Sequence, residues 1–425
     1  MQKTHHAMVA LCALAIAVPA AAQDMDHDMT MNAPGDAPLF SAGSGTSRLP
    51  LAAMMPGLHT EAGGWMLMAH GYAWGAYSHQ SRPRGDDMIF VQSMAMIEAS
   101  RPLSDGTRLQ LRAMASLDPL MGRRGYPNLF ATGETAGGLP LVDRQHPHDL
   151  AMELSGRLDV DVAPGTSLFL YAGLPGEPAL GPPAFMHRAS ARYFPEAPIA
   201  HHWFDSTHIT YGVLTAGLST PHWQAEFSAF NGREPDERRW NIEQPRIDSW
   251  AARATWTPSP RWAASLAYGR LHSPERLHPN EDENRLIASI AYADETLAIT
   301  GGWSRKDREK GPTLNAAFVE TTYALTPRHA VFGRVERVRN DELFAEDAPL
   351  HGVPFTVTKA SLGYAYTMPL GASATLSLGG TASLYAIPDR LDSAYGRHPG
   401  GLTLFARLAL GGQPMADSAG HKPHH

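Results

Sequence analysis

Cysteine is almost absent from this chain of 425 residues, which contains only Cys12. Cys12 lies in an apolar run that extends from Ala7 to about Pro19. Because this run follows Lys3 and is succeeded by three alanines, residues 1–22 are predicted to be a secretory signal peptide. The exported protein would then have no thiol and no disulfide, which excludes thiolate metal sites and cysteine catalysis.

Long apolar runs are missing as well. After Gln23 no uninterrupted apolar segment reaches about 18 residues, so no membrane-spanning helix is predicted. The net charge of -7 gives no reason to expect a nucleic-acid partner, and no phosphate-binding or dinucleotide motif is found. A soluble periplasmic protein and an outer-membrane barrel remain.

The sequence does contain many short amphipathic segments. In residues 149–162, DLAMELSGRLDVDV, the even-numbered positions are mainly Leu, Met and Val, and the odd-numbered positions are mainly charged or polar. This alternation predicts a strand with one apolar and one polar face. Similar segments recur as far as Leu410, which is typical of an outer-membrane barrel.

Short turns and longer connections alternate between Trp65 and Leu410. We therefore predict an all-β fold, an antiparallel transmembrane β-barrel of about 16 strands (roughly 14 to 18) over residues 63–410. Its short turns would be periplasmic and its long loops extracellular, and a barrel of this size can enclose an aqueous lumen. A soluble β-sandwich or propeller would explain the two connection classes poorly.

The segments flanking the predicted barrel contain potential metal ligands. Residues 23–62 are predicted to be a periplasmic segment, and residues 411–425 form a histidine-containing C-terminal tail. The N-terminal candidates are Met25, His27, Met29 and Met31. Thioethers suit Cu(I), while imidazoles suit Cu(II) and Zn(II), so this mixture favours copper. The alternative is a disordered tail whose methionines are incidental.

Strand parity adds ligands inside the barrel. The predicted luminal candidates are Met66, Met68, His70, Met94, Met96 and Met114. They would form a ladder of thioethers on three successive strands. Methionine also fills gaps well, so packing against a plug is the alternative.

The second and third long loops concentrate histidine and aspartate. Their candidate metal ligands are His146, His148, Asp149, His187, His201, His202 and His208. An extended backbone across Pro147 places His146 and His148 on one side, and carboxylates could bind the metal or orient the rings. The alternative is a hydrogen-bonded plug. The third loop is predicted to fold into the lumen and narrow it.

Catalysis is not predicted. Ser206, His208 and Asp205 are neighbours in sequence, but adjacency is no sign of an assembled relay. An outer-membrane hydrolase is kept as a remote alternative.

The phrases DRQHPHDL, GLPGEPALGPPAFMHR and HHWFDSTHIT resemble those of uncharacterised bacterial outer-membrane barrel proteins associated with copper or heavy-metal resistance. The likeness centres on residues 140–213 and implies porin-like architecture. The DMDHDM segment also resembles the Met/His/Asp repeats of the copper-resistance outer-membrane protein B family, whose barrel motifs do not match here.

These observations predict a porin-like outer-membrane protein that binds or passes transition-metal ions, copper favoured, and contributes to metal resistance or homeostasis. Expected partners are outer-membrane lipid, metal ions or small polar solutes, and periplasmic metal-resistance proteins. No cofactor beyond copper ions is required, and homo-oligomerisation stays open. The principal rival is a general diffusion porin for small polar solutes.

Overall fold

A computed structural model describes residues 39–53 and 56–411. Its main feature is a closed barrel of sixteen antiparallel strands, which we number β1 to β16, as predicted. The strands are β1 Trp65–Gln80, β2 Asp87–Ser104, β3 Thr107–Ala115, β4 Ala151–Ala163, β5 Thr166–Gly173, β6 Val213–Ser219, β7 Trp223–Phe230, β8 Ser249–Ser259, β9 Trp262–Leu271, β10 Glu283–Ala293, β11 Leu297–Arg308, β12 Thr313–Thr326, β13 His329–Asn340, β14 Phe355–Leu370, β15 Ala374–Ala386 and β16 Gly400–Leu410. Pairing of β16 with β1 closes the barrel.

The remaining elements are short. The short strands are Phe40–Ala42, Arg48–Pro50, Leu58–Ala62, Tyr126–Pro127, Glu134–Ala136, Leu139–Leu141 and Arg144–Gln145. The helices are α1 His201–Phe204 and α2 Asp392–Tyr395, and single 3-10 turns cover Leu51–Ala53, Asp118–Met121, Phe185–His187, Ala189–Ala191, Ser206–His208 and Asp389–Leu391. Among the described residues, no helix has both the length and the apolar character needed to cross a membrane.

The connections alternate as the sequence predicts. Tight turns such as 105–106 and 164–165 lie at one end of the barrel, and the second loop (116–150) and third loop (174–212) lie at the other. The connection 309–312 is shorter than expected, because β11 and β12 stay paired as far as Asp307 and Thr313. The strand count and the two connection classes are therefore confirmed.

The outer surface of the barrel is apolar. Ile89, Leu362 and Leu384 expose 78%, 66% and 72% of their surfaces, and an apolar band of this kind is unfavourable in water. Near the tight turns, Trp223 stacks on Trp256 with ring centroids 5.8 Å apart. An apolar band bordered by aromatic rings is the expected lipid-facing surface of a membrane barrel.

Loops fill the interior of the barrel. The third loop is buried along almost its whole length, and it contacts strands on the far wall. Ser190 Oγ lies 2.7 Å from Thr300 Oγ1 on β11, and Ala200 N donates to Glu336 Oε1 on β13 at 3.1 Å. The prediction that this loop folds into the lumen is confirmed. A cavity beside Arg407 has a volume of about 20 Å³, which is room for roughly one water molecule.

Residues 39–53 also lie inside the barrel. Arg48 Nε donates to Gln224 Oε1 at 3.1 Å, and Arg112 and Arg253 donate to Gly43 O and Thr46 Oγ1, both at 3.2 Å. The assignment of 23–62 to the periplasm is therefore corrected for this part, because polar side chains of the luminal wall obtain partners from it. Residues 1–38, with the predicted signal peptide and the predicted ligands Met25, His27, Met29 and Met31, lie outside the described residues, as do residues 412–425.

Removing part of the third loop should open the barrel. We expect deletion of residues 182–198, bridged by a short Gly-Ser linker, to raise single-channel conductance in planar bilayers several-fold, because the removed segment crosses the lumen. Heat-modifiable migration on a gel would verify that the variant is folded. Unchanged conductance in a folded variant would contradict an obstructing role for the loop.

Candidate metal centre

Asp205, just after α1, organises the interior end of the third loop. Its Oδ1 accepts a hydrogen bond from His201 Nδ1 at 2.7 Å, and its Oδ2 accepts from Arg188 at 3.1 Å and from Phe185 N at 2.8 Å. Its backbone oxygen accepts from His208 Nδ1 at 2.6 Å. Burial alone would raise the pKa of Asp205, but His201 and Arg188 hold it below its ordinary value. Asp205 therefore orients two imidazoles, His201 through its carboxylate and His208 through its backbone oxygen.

Other histidines are held in the same manner. His148 Nδ1 lies 2.8 Å from Asp118 Oδ2, and His202 Nδ1 lies 3.2 Å from Glu234 Oε1. His146 Nδ1 lies 3.2 Å from the Pro147 carbonyl oxygen. Since these oxygens accept the proton at Nδ1, each ring presents its Nε2 lone pair, which is how carboxylates and carbonyls orient metal-binding histidines.

These rings form one group, the five-histidine cluster. Its members are His146, His148, His201, His202 and His208. Ring centroids are separated by 5.7 Å from His202 to His146, 6.0 Å from His146 to His201, 5.2 Å from His201 to His208 and 5.3 Å from His208 to His148. The third loop supplies three rings and the second loop two, so packing of the two loops builds the cluster.

Within the cluster, three histidines meet closely enough to share an ion. One ring nitrogen from each of His146, His201 and His202 lies within 4.8 Å of the other two. Ligands of a tetrahedral transition metal are roughly 3 to 3.5 Å apart, so a closure of about 1 Å would suffice. The Nε2 atoms of His146 and His202 are buried and have no hydrogen-bond partner among the described residues.

Carboxylates adjoin these rings. His146 Nε2 faces Glu134 Oε1 at 3.6 Å, which is too long for a hydrogen bond and near the separation of two ligands on one ion. Glu134, His202 and Glu234 form a second group with ligand atoms within 4.8 Å of one another. Burial raises the pKa of Glu134 to about 7, although Arg239, at 3.0 Å, opposes this.

Burial favours the neutral form of three of these imidazoles, whereas the pKa of His202 is raised above its ordinary value, because Glu234 and Glu134 outweigh the effect of burial there. Burial lowers the pKa of His146 and His208 well below the ordinary histidine value, and neighbouring positive charge lowers it further. Burial also lowers the pKa of His201, despite Asp205. Only neutral imidazole offers a lone pair to a metal. His146, His201 and His208 therefore need not lose a proton at neutral pH before binding.

Gly133 makes the approach of His202 possible. A Cβ on this residue would lie 2.5 Å from the His202 ring, and its φ of 104° is strained for other residues.

The predicted residues divide into groups. The five-histidine cluster contains five of them. Asp149 lies 3.7 Å from Arg239 and belongs to none of the groups of potential metal ligands among the described residues. Met66 is 38% exposed at the start of β1. His187 is buried among other residues, and burial lowers its pKa to about 3.

The luminal methionine prediction concerns a separate place in the barrel. Met94, Met96 and Met114 expose 2%, 6% and 4% of their surfaces, which agrees with their luminal parity. They pack with Met152 and with Met186 from the third loop, and Met68 borders the group. Packing against a plug therefore occurs, and it brings together more thioethers than the sequence analysis identified.

No serine relay is assembled. Ser206 Oγ accepts a hydrogen bond from Arg285 at 2.8 Å, while His208 Nδ1 binds the Asp205 backbone.

Sequence reasoning missed the acidic residues Glu134, Glu234 and Asp118. Acidic residues in loops are common, and only the position of Glu134 directly after Gly133 could have drawn attention to it. Nothing in the sequence links it to His146.

No family model and no curated protein matches this chain. Among solved structures, OmpF of Salmonella typhi, in complex with daunomycin, aligns with a TM-score of 0.53 and 9% identity, covering 82% of this chain and 100% of its own. An anion-selective porin from Comamonas acidovorans aligns with a TM-score of 0.49 and 11% identity, covering 81% and 99%. The outer membrane channel DcaP of Acinetobacter baumannii has the same TM-score and identity, covering 84% and 100%. The fold is that of a porin-type outer-membrane β-barrel.

Arg188 should be essential for the order of this centre. It joins Asp205 at 3.1 Å to Glu320 on β12 at 2.6 Å, and all three side chains are 1% exposed or less. We expect Arg188→Met to destabilise the protein by about 3 kcal/mol or more, because the buried Asp205 loses its arginine partner and Glu320 keeps only Arg334, at 2.9 Å. The measurement is the temperature at which the folded band is lost in a heat-modifiability gel.

Arg305→Met is the matched control, since the Arg305–Asp307 pair on β11 is largely exposed. This control should lose its folded band at the wild-type temperature. Equal temperatures for the two variants would contradict the anchoring role of Arg188.

Proposed function

We propose that this protein is an outer-membrane barrel that takes up transition-metal ions in its lumen, copper favoured, and thereby contributes to metal resistance or homeostasis. The observation that carries the proposal is the convergence of His146, His201 and His202, with ligand nitrogens within 4.8 Å and Nδ1 atoms engaged by oxygens. Leaving a buried polar atom unpaired costs roughly 1 to 3 kcal/mol, and a bound ion would remove that cost.

The donor set favours copper and zinc. Imidazole nitrogens with a carboxylate suit Cu(II), Zn(II) and Ni(II), and the affinity of such sites for divalent ions is highest for Cu(II). Mg²⁺ and Ca²⁺ prefer sites made of oxygen ligands, whereas this cluster offers mainly imidazole nitrogens. A negative charge from Glu134 or Glu234 would partly offset the charge of a divalent ion.

A general diffusion pore is the second candidate, and the shared fold favours it. The packed interior disfavours it, because a third loop anchored to Glu320 and Glu336 leaves little space for polar solutes. In a general diffusion pore, the histidines would serve only to order the loops.

Metal binding to the purified full chain tests the proposal. To exclude the termini, His27, His421, His424 and His425 are replaced by alanine in every sample. We expect His146→Gln/His202→Gln to weaken Cu(II) and Zn(II) binding by at least tenfold, because changing even a residue that orients a ligand typically costs about 10- to 100-fold. Titration with a competing chelator gives the affinity, and Cu(II) EPR reports nitrogen ligands.

His398→Gln is the control, since His398 is exposed in the loop between β15 and β16. It should bind metal like the parent. If the parent and both variants retain no divalent metal, the proposed site does not exist.

A copper-tolerance assay tests the physiological role. A deletion strain would be complemented with wild type, with a form lacking residues 25–31, and with His146→Ala/His148→Ala. We expect the histidine variant to restore less tolerance than wild type. Equal tolerance in all three strains, together with no copper retained by the protein, would leave the general pore.

A further inference from the structure

A row of soft donors crosses three neighbouring strands of the luminal wall. On β1, His70 lies directly opposite Met96 of β2, and Met96 lies directly opposite Met114 of β3. Directly opposed residues have Cβ atoms roughly 4.5 to 5.5 Å apart, so the three side chains are in reach of one another. His70 is 2% exposed, and its neighbours in the row are buried too.

The third loop covers this row. Met186 packs into the same buried group as Met94 and Met152, and the next residue in the chain is His187. His187 is 4% exposed, and it belongs to the same 3-10 turn as Phe185 and Met186, which pack in this group. We call the whole group the methionine–histidine row. Its members are His70, Met94, Met96, Met114, Met152, Met186 and His187.

Both imidazoles of the row leave a nitrogen unused. His70 Nδ1 binds the Pro56 carbonyl oxygen at 2.7 Å, which leaves the lone pair on Nε2. The Nε2 atoms of His70 and His187 are buried and have no hydrogen-bond partner among the described residues. Packing alone gives no reason for two such atoms beside five thioethers, since each unmade hydrogen bond costs stability.

The members of the row carry no negative charge. Two carboxylates on the same strands as Met96 and Met152, Glu98 and Glu153, both pair with Arg112, at 2.8 Å and 3.6 Å. Neutral thioether and imidazole donors in a buried place suit a soft, singly charged ion better than a divalent ion, whose charge would be left uncompensated.

We propose that the methionine–histidine row is a second metal site, which binds Cu(I) or its analogue Ag(I) and is separate from the five-histidine cluster. The proposal deepens the proposed function, because it assigns the monovalent soft ion to different residues in the same lumen. Phe185 lies between the two places: it packs in the row and its ring is 5.6 Å from the His201 ring.

Silver binding to the full chain tests this proposal, with Met25, Met29 and Met31 replaced by leucine in every sample so that the N-terminal segment does not contribute. Ag(I) is the probe because it needs no reductant. We expect the parent to retain Ag(I) against a competing ligand, and Met96→Leu/Met114→Leu to bind it at least tenfold more weakly. Met→Leu approximately preserves side-chain volume, so the fold should survive.

Met368→Leu is the matched control, because Met368 on β14 lies on the opposite strand face from the buried Thr367. It should leave Ag(I) affinity unchanged. X-ray absorption of the Cu(I)-loaded parent provides a measurement that needs no variant, and it should show sulfur neighbours around copper. Equal affinity of the row variant and Met368→Leu, or an absorption spectrum without sulfur neighbours, would overturn the proposal.

The two sites can fail separately. His146→Gln/His202→Gln should lose Cu(II) while keeping Ag(I), and its loss of both would show that no separate soft site exists. Ag(I) bound by a protein that takes up no divalent ion would sustain this inference and refute the five-histidine cluster as the divalent site that carries the proposed function. Cu(II) bound without Ag(I) would refute this inference and support the five-histidine cluster as the divalent site.

Discussion

The interior of this barrel depends on the ion pairs of Arg188 with Asp205 and Glu320. Glu320 projects from β12, and Arg188 and Asp205 belong to the third loop. All three are buried away from water, so their ion pairs fix the loop to the wall, where Arg334 on β13 is a second partner of Glu320. The same Asp205 holds the His201 and His208 rings. The anchor of the plug and the orientation of the candidate ligands are thus one set of contacts, and a change that loosens the loop must also disturb the rings.

A filled lumen changes what the fold can do. In an open barrel of this width, solutes are separated by size and by the field of the wall. Here the third loop crosses the lumen and residues 39–53 occupy more of it, with Arg48 bound to Gln224 and Thr46 held by Arg253. A solute would have to break contacts that these two segments make inside the lumen. An ion that binds imidazole or thioether would need to displace only the side chains that bind it.

The sequence predicted the strands of the barrel wall well and the segments inside the lumen poorly, for a physical reason. Residues alternate along a strand with a period of two, so parity alone placed Met94 inside the barrel, and its burial confirms this. Contacts between loops have no such period. Glu134 and Glu234 belong to different loops, and only the packing of those loops brings them near His202. Residues 39–53 resemble a linker because small residues dominate them, and their partners come from strands distant in the chain.

The two donor sets differ in charge as much as in softness. Around His146 and His202, Glu134 and Glu234 supply negative charge, while around Met96 the carboxylates are already paired with Arg112. Electrostatic interactions in a buried place are strong. A divalent ion would therefore be stabilised most near Glu134 and Glu234, and its charge would be poorly compensated near Met96. Under the proposed function, an ion would pass between rings of the five-histidine cluster whose centroids lie 5.2 to 6.0 Å apart. A packed lumen that hands an ion from ligand to ligand would therefore be selective by chemistry, where an open pore is selective by width.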